Sequence, residues 1–267
     1  MSWSRQYDGP EPQRVNRWLA LEGVCSRREA EALIEAGRVL IDGEPVREPG
    51  HKITPGQTLT IRSTRGDSAG SGAGPGTVIA GASYVINKPI GVVSAQPEPG
   101  QIPAARLLMP DRATDRTPPP GPRASLAPLG RLDRDSRGLL LLSTDGVLAK
   151  AVIGPASRLD KEYQVVVRGW LEPRKLSLLR HGLSLDGRLL RPAVVEAVGP
   201  GELIFILNEG RYRQIRRMCE AVELEVVDLR RVRIGPLRLG DLPEGGWRGL
   251  TAREREALIT DSKRGSG

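Results

Sequence analysis

The stretch Gly130 to Gly146, G-R-L-D-R-D-S-R-G-L-L-L-L-S-T-D-G, decides how this chain is read. Leu139 to Leu142 form an unbroken apolar run, with Gly138 before it and Asp145-Gly146 after it. Such a run between turn residues predicts a short buried strand, entered from a loop and left by a turn. The loop ahead of it packs three arginines (Arg131, Arg134, Arg137) and two carboxylates (Asp133, Asp135) into seven residues. Charges placed directly before a core strand stand where a rigid scaffold can hold them at a cleft. On spacing alone, a solvated charged turn fits the same residues.

At 267 residues the chain holds one large domain or two smaller ones, and its 39% hydrophobic content fits a globular protein with loop-rich segments. No apolar run approaches the ~18 residues of a membrane span, and the polar N-terminus carries no secretory signal, so no membrane partner is expected. Cys25 and Cys219 lie far apart without metal spacing. Free thiols and a cytoplasmic location follow as the default, and two histidines with no Cys/His cluster argue against zinc. The net charge of +8 suggests a polyanionic partner. Aromatics at 3% argue against a surface that stacks many bases in a row, and leave room for a single stacking residue in a pocket.

Residues 1–13, poor in apolar side chains and with two prolines, are expected to be a disordered leader. A compact module spans 14–62. Val15, Trp18, Leu19 and Leu21 predict a short amphipathic helix stopped near Gly23. Ser26-Arg-Arg-Glu29 reads as a capping box for a second helix, which carries Ala30, Leu33 and Ile34 and closes at Gly37. Val39–Ile41, Asp42-Gly43 and Glu44–Val46 read as a hairpin, and Thr58–Ile61 as a further strand. Arg27 and Arg28 occupy the first helical turn, where the dipole disfavours cations by ~0.3–1 kcal/mol. A bound anion would relieve that cost, and simple solvation of the two side chains remains the alternative. The segments Cys25-Ser-Arg-Arg-Glu29, Leu33-Ile-Glu-Ala-Gly-Arg-Val39 and Asp42-Gly43 resemble the S4 RNA-binding domain. That resemblance implies that Arg27, Arg28, Arg38 and Lys52 meet RNA phosphate. Residues 63–77 have the Ser/Gly/Ala composition of a flexible linker, a tether that raises the local concentration of whatever follows near the same RNA.

A second domain is expected over 78–260, with a frayed tail at 261–267. Tyr84–Asn87 reads as a strand, and Lys88-Pro-Ile-Gly91 as a turn whose lysine is structural or phosphate-facing. The proline-rich stretch 96–124 reads as an irregular, mobile loop beside the Gly130 motif. Val147–Ile153 follows as a helix. Lys161–Gly169 is a strand with Tyr163, Val165 and Val167 on one face. Pro173 opens a helix with Leu176 and Leu179 inward. A hairpin turns at Asp186-Gly187, and strands are expected at Val194–Val198, Leu203–Leu207 and Val226–Ile234. Ile215, Met218, Cys219 and Val222 lie at helical spacing. Arg211, Arg213, Arg216 and Arg217 crowd the start of that helix, an unfavourable arrangement that a nearby carboxylate or phosphate would relieve. A basic solvated face is the other reading. Thr251-x-x-Glu254 caps a last helix. Hairpins with a few helices predict an α+β domain, its mixed and largely antiparallel sheet flanked by helices.

Taken together, Gly130–Gly146, Lys88-Pro-x-Gly91, Lys161-x-Tyr163 and Glu209-Gly-Arg-Tyr-Arg-Gln-Ile-Arg-Arg-Met218 resemble the bacterial ribosomal RNA pseudouridine synthases that carry an S4 domain. Ser143-Thr144 departs from the family's Thr-Asn, and Cys219 from a common phenylalanine. The resemblance implies that Asp133 is the catalytic residue and that Tyr163 packs against the target base. It further implies that Arg216 pairs with the aspartate, and that Arg131 fills the space the base leaves or holds phosphate. The substrate would be ribosomal RNA, free or in an assembling subunit, and a monomer is expected. Isomerising uridine needs no cofactor and no metal, and the chain has no phosphate-binding Gly-Lys-Ser/Thr loop. Attack by the carboxylate on carbon and removal of a sugar proton both remain open. Two other readings stand beside this one. One is a non-catalytic RNA-binding ribosome-assembly factor. The other is a glycosidase, which would need a second carboxylate such as Asp135.

Overall fold

The computed structural model describes residues 3–22, 24–25, 27–48, 50–62, 82–121, 124 and 126–264, without the side chains of Leu21, Arg28, Glu29 and Arg264. The expected cap Ser26, the helix stop Gly23, the side chain of Arg28 and the linker 63–77 therefore lie outside the described residues. The chain divides into two compact units, Met1–Ala82 with Ser143–Lys150, and Ser83–Leu142 with Ala151–Gly267. Among the described residues no helix is long and apolar enough to cross a membrane.

In the first unit, α1 (Val15–Leu21) and α2 (Arg27–Glu35) accompany a four-stranded sheet in the order Trp3–Gln6, Thr58–Ile61, Val39–Ile41, Glu44–Pro45. Its pairs are antiparallel. Asp42 and Gly43 both take positive φ (51° and 91°) at the predicted hairpin turn. The Asp42 carboxylate also accepts the Thr58 N–H at 2.8 Å, tying the turn to the neighbouring strand. The core contains Val15, Leu19, Ala30, Leu33, Ile34 and Ile53 with Tyr7 and Trp18. Residues 3–13 are not a disordered leader. Trp3–Gln6 pairs along Thr58–Ile61, Tyr7 is buried, and the Trp18 ring meets those of Tyr7 and Trp3 edge-on at 5.1 and 6.1 Å. Two rings and a strand edge anchor a segment whose other side chains are mostly polar.

The second unit is built on a mixed sheet, nine strands among the described residues, in the main order Val194–Gly199, Glu202–Leu207, Lys161–Arg168, Glu225–Ile234, Arg137–Ser143, Ser83–Lys88, Trp247–Gly249. Most pairs are antiparallel; Arg137–Ser143 runs parallel to Glu225–Ile234. That central strand lies inside the sheet with both faces covered, and Leu139 to Leu142 are each at most 1% exposed. Burial on both faces is why its sequence runs apolar without alternating. Helix α3 (Gly146–Ile153) has residues in both units, while α4 (Pro173–Arg180), α5 (Gln214–Glu220) and α6 (Ala252–Arg264) belong to this one. The expected box at α6 is closed: Glu254 accepts the Thr251 N–H at 3.0 Å, and its own N–H reaches Thr251 Oγ1 at 3.2 Å.

Two further expectations are corrected here. Residues 102–114 of the proline-rich stretch are packed rather than mobile. Ile102–Pro103 pairs with Val92–Val93, Ala104, Leu107 and Leu108 enter the core beside Trp247, and the Trp247 indole N–H donates to Met109 O at 2.8 Å. Prolines barred regular helix there, and the apolar side chains between them supplied the anchors instead. The tail at 261–267 is likewise not frayed from its start, since α6 runs on to Arg264.

Candidate active site

The loop carrying Asp133 is held by buried polar contacts on each side. The Ser94 hydroxyl both donates to Leu132 O (2.7 Å) and accepts from Leu132 N–H (2.9 Å), fixing the residue before the aspartate. Gly91 N–H donates to Arg134 O at 2.8 Å, locking the Lys88–Gly91 turn to the residue after it. Arg137 grips Asp228 through two N–H groups at 2.9 and 2.7 Å. Arg231, 3% exposed, reaches from the parallel neighbour strand to Leu139 O (2.8 Å) and Arg131 O (3.4 Å). Gly138 makes that close approach possible. Its φ is +104°, and a Cβ there would stand 2.3 Å from Arg231 O.

The two carboxylates of the loop have different surroundings. Asp135 is committed to arginines: Arg213 donates to both its oxygens at 3.1 and 2.8 Å, and Arg216 Nε lies 3.2 Å from Oδ2. Burial pushes the Asp135 carboxyl up, but the Arg213 hydrogen bonds and the charges of Arg216 and Arg213 outweigh it and hold the group below the usual carboxylate range. Asp133 meets only the edge of this cluster, with Arg213 Nη1 3.8 Å from its Oδ2. The expected pairing of Arg216 with Asp133 is thus corrected. Arg216 binds Asp135, donating also to Asp135 O (2.7 Å) and Val226 O (3.1 Å), and the cation beside Asp133 is Arg213. The physical reason is local geometry: the left-handed backbone of Arg213 at the cap and the first turn of α5 at Arg216 bring both guanidiniums to the same acid.

The crowded cations of α5 find the carboxylates their placement called for. Besides Asp135, Arg211 lies against Glu209 (3.4 Å) and donates to Leu189 O (2.8 Å), while Arg217 pairs with Asp186 (2.6 Å). Arg213 itself takes the left-handed conformation (φ 48°) as the cap of the helix. That conformation is uncommon for a side chain of this size.

Lys88 is structural. It is fully buried and donates to Pro89 O (2.9 Å) and Val92 O (2.7 Å), clamping its own turn. Burial takes its pKa down to about 8, against the pull of Asp133 and Asp135, and the Arg231 charge pushes the same way as burial. Lys161 is lowered to about 8 as well, by burial and then by Arg231. Asp133 therefore belongs to a neighbourhood rich in cations. Tyr163 is half-buried, is paired in register with Arg231, and packs against the apolar cluster that contains Leu132. Arg131 is exposed. In the first unit Arg27 and Lys52 are exposed, and Arg38 donates to Arg62 O at 2.9 Å. Lys88 was legible as a structural lysine of the Lys-Pro-x-Gly turn, whose own carbonyls it binds. No sequence signal marked Arg213 as the cation at Asp133, and the place of Arg231 depends on strand pairing.

Comparison with known proteins places this geometry. Residues 83–221 match the family model described as RNA pseudouridylate synthase, and residues 13–59 match the S4 domain. The chain is 33% identical over 244 residues to "Ribosomal small subunit pseudouridine synthase A" of Pseudomonas aeruginosa, covering 90% of this chain and 98% of that one. It is 31% identical over 255 residues to "Ribosomal large subunit pseudouridine synthase B" of Bacillus subtilis, covering 92% and 95%. A solved structure described as a pseudouridylate synthase superposes with a TM-score of 0.60 at 27% identity, covering 92% of this chain and 99% of that one.

Proposed function

The chain belongs to the RNA pseudouridylate synthase family, whose members are isomerases, and we propose that it converts one specific uridine of ribosomal RNA to pseudouridine with Asp133 as the catalytic carboxylate. The observation that carries this reading is the division of labour in the loop. Asp135 has both oxygens taken by arginine, whereas Asp133 keeps only a looser contact with Arg213 at 3.8 Å. A carboxylate free to act and a carboxylate spent on holding the site argue against a pair of working acids, the arrangement that hydrolysis of a glycosidic bond requires.

In the reaction the bond from uracil N1 to the sugar carbon breaks, the ring turns, and C5 bonds to the same carbon. N1 ends with a proton and C5 has given one up, so no atom is gained or lost. Asp133 acts on the ribose, with the Arg213 guanidinium 3.8 Å away to hold its position. Removing a base from its stack costs a few kcal/mol, of which Tyr163 returns ~1–3 kcal/mol by packing on the ring. Arg131, exposed next to Asp133, fills the vacated space or holds phosphate. Arg216 supports the site through Asp135. In the S4 module Arg27, Arg28, Arg38 and Lys52 meet RNA phosphate, as the ribosomal substrates named for the relatives suggest. The protein acts in the cytoplasm as a monomer.

The test is pseudouridine mapping of both ribosomal RNAs in cells with the protein, without it, and with Asp133→Ala. One uridine is expected to lose its modification without the protein and to stay unmodified with the variant. An unchanged map refutes the ribosomal assignment. Modification by the variant refutes the role of Asp133, and free uracil would show cleavage without rejoining.

A further inference from the structure

Tyr212 is 77% exposed, while Tyr7 and Tyr84 are 5% and 4% exposed. It stands between two arginines that both turn inward. Arg211 donates to the carbonyls of Leu185, Arg188 and Leu189 at 3.3, 3.1 and 2.8 Å, and its backbone N–H donates to Gln214 Oε1 at 2.9 Å. Arg213, fixed in the left-handed region, sends its guanidinium to Asp135 and to within 3.8 Å of Asp133. The loop is thus pinned on either side of Tyr212, and the ring is held outward one residue from the group nearest the catalytic carboxylate.

A nucleotide that swings into a pocket leaves its chain neighbours without a stacking partner on one side. An aromatic face at the pocket rim replaces that partner whatever the base, because every base has a π-face. Segment 209–217 carries four arginines, which pair with Glu209, Asp135 and Asp186, and Arg131 and Arg134 are exposed on the loop that carries Asp133, so cations remain in excess. The surroundings therefore favour a polyanion over an apolar protein partner.

We propose that Tyr212 is the stacking platform for a nucleobase next to the target uridine in the bound RNA strand. This rests on the function proposed above and adds a contact to it. The platform makes binding tolerant of the flanking base and contributes to holding the strand open around the flipped nucleotide.

The experiment uses the full-length protein and an rRNA fragment carrying the uridine found by mapping, with 2-aminopurine placed at either neighbouring position in turn. Wild type is expected to quench 2-aminopurine at one of the two positions. Tyr212→Phe keeps the quench and the activity. Tyr212→Ala loses the quench and lowers kcat/KM by at least about fivefold, with unchanged thermal unfolding because the ring is exposed. An active wild type with a Tyr212→Ala variant that matches it in quench and kcat/KM overturns this inference alone. A wild type that forms no pseudouridine in either rRNA overturns the proposed function and takes this inference with it.

Discussion

Replacing Lys88 by methionine tests how the turn beside the catalytic loop is held. Lys88 is fully buried, and its pKa falls from 10.5 to about 8, chiefly through burial. Below pH 8 native and unfolded chains both carry the proton, and the native state bears the full cost of a buried charge. Between 8 and 10.5 the unfolded chain binds the proton and the native one does not, so stability rises with pH across that window. At about pH 9.5 the gain is ~2 kcal/mol, at ~1.4 kcal/mol per unit. Methionine matches the length and removes the charge, but it leaves Pro89 O and Val92 O without their donor, at ~1–3 kcal/mol for each carbonyl left unpaired. Near neutral pH the removed burial cost and the lost hydrogen bonds largely offset each other. In alkali the wild-type amine is neutral and still bonded, so the variant falls behind. Urea unfolding of both proteins at about pH 7 and about pH 9.5 should show the stability difference widening by ~2 kcal/mol. Comparing the two proteins cancels the titration of Lys161, which is also lowered to about 8, and of the Cys219 thiol, which burial pushes up to about 12. A difference that is the same at both pH values, or that narrows, refutes the account of a charged buried clamp.

Two other substitutions probe the loop and its arginines. Gly138→Ala forces a Cβ to 2.3 Å from Arg231 O at a φ of +104°. It is expected to cost ~3 kcal/mol or more, seen as a lower Tm, and to lower activity because the strained joint leads directly out of the catalytic loop. Arg213→Gln should lower kcat at least about tenfold more than Arg216→Gln, since Arg213 is the cation at Asp133; the reverse order in single-turnover kinetics would restore Arg216 as the partner of the catalytic acid.

Local signals in the sequence were enough for the elements and not for their meeting. The run Leu139–Leu142 announced a short buried strand because continuous apolarity has few other uses in so short a span. The hairpins at Asp42-Gly43 and Asp186-Gly187 followed from turn chemistry confined to two residues. The pairing of Arg137–Ser143 with Glu225–Ile234 brings together residues more than eighty positions apart, and no local pattern encodes it; Arg231 entered the site by that pairing. Trp3–Gln6 escaped notice for a related reason. A four-residue edge strand with polar side chains has no period to read, and its stability comes from the Trp18 contacts and the partner strand. In 96–124 the proline content suggests mobility, but proline excludes regular structure without excluding burial, as Leu107 and Leu108 demonstrate.

The arginine assignment shows where motif and geometry part. The Gln214-Ile-Arg216 segment points to Arg216 as the partner of the catalytic acid, and the catalytic loop offers two acids, Asp133 and Asp135, two residues apart. A guanidinium binds most strongly where it can donate two N–H groups to one carboxylate. Asp135 receives that grip from Arg213 together with the Arg216 contact. Of the two acids in the loop, Asp135 therefore has the stronger ion pairs, and in the proposed mechanism it is the one that does not react. A catalytic carboxylate held as tightly would have to break those bonds to reach the ribose, whereas one held through its neighbour keeps both its position and its freedom. The tight cluster at Asp135 is in this view the support, and the looser 3.8 Å contact at Asp133 is the working end.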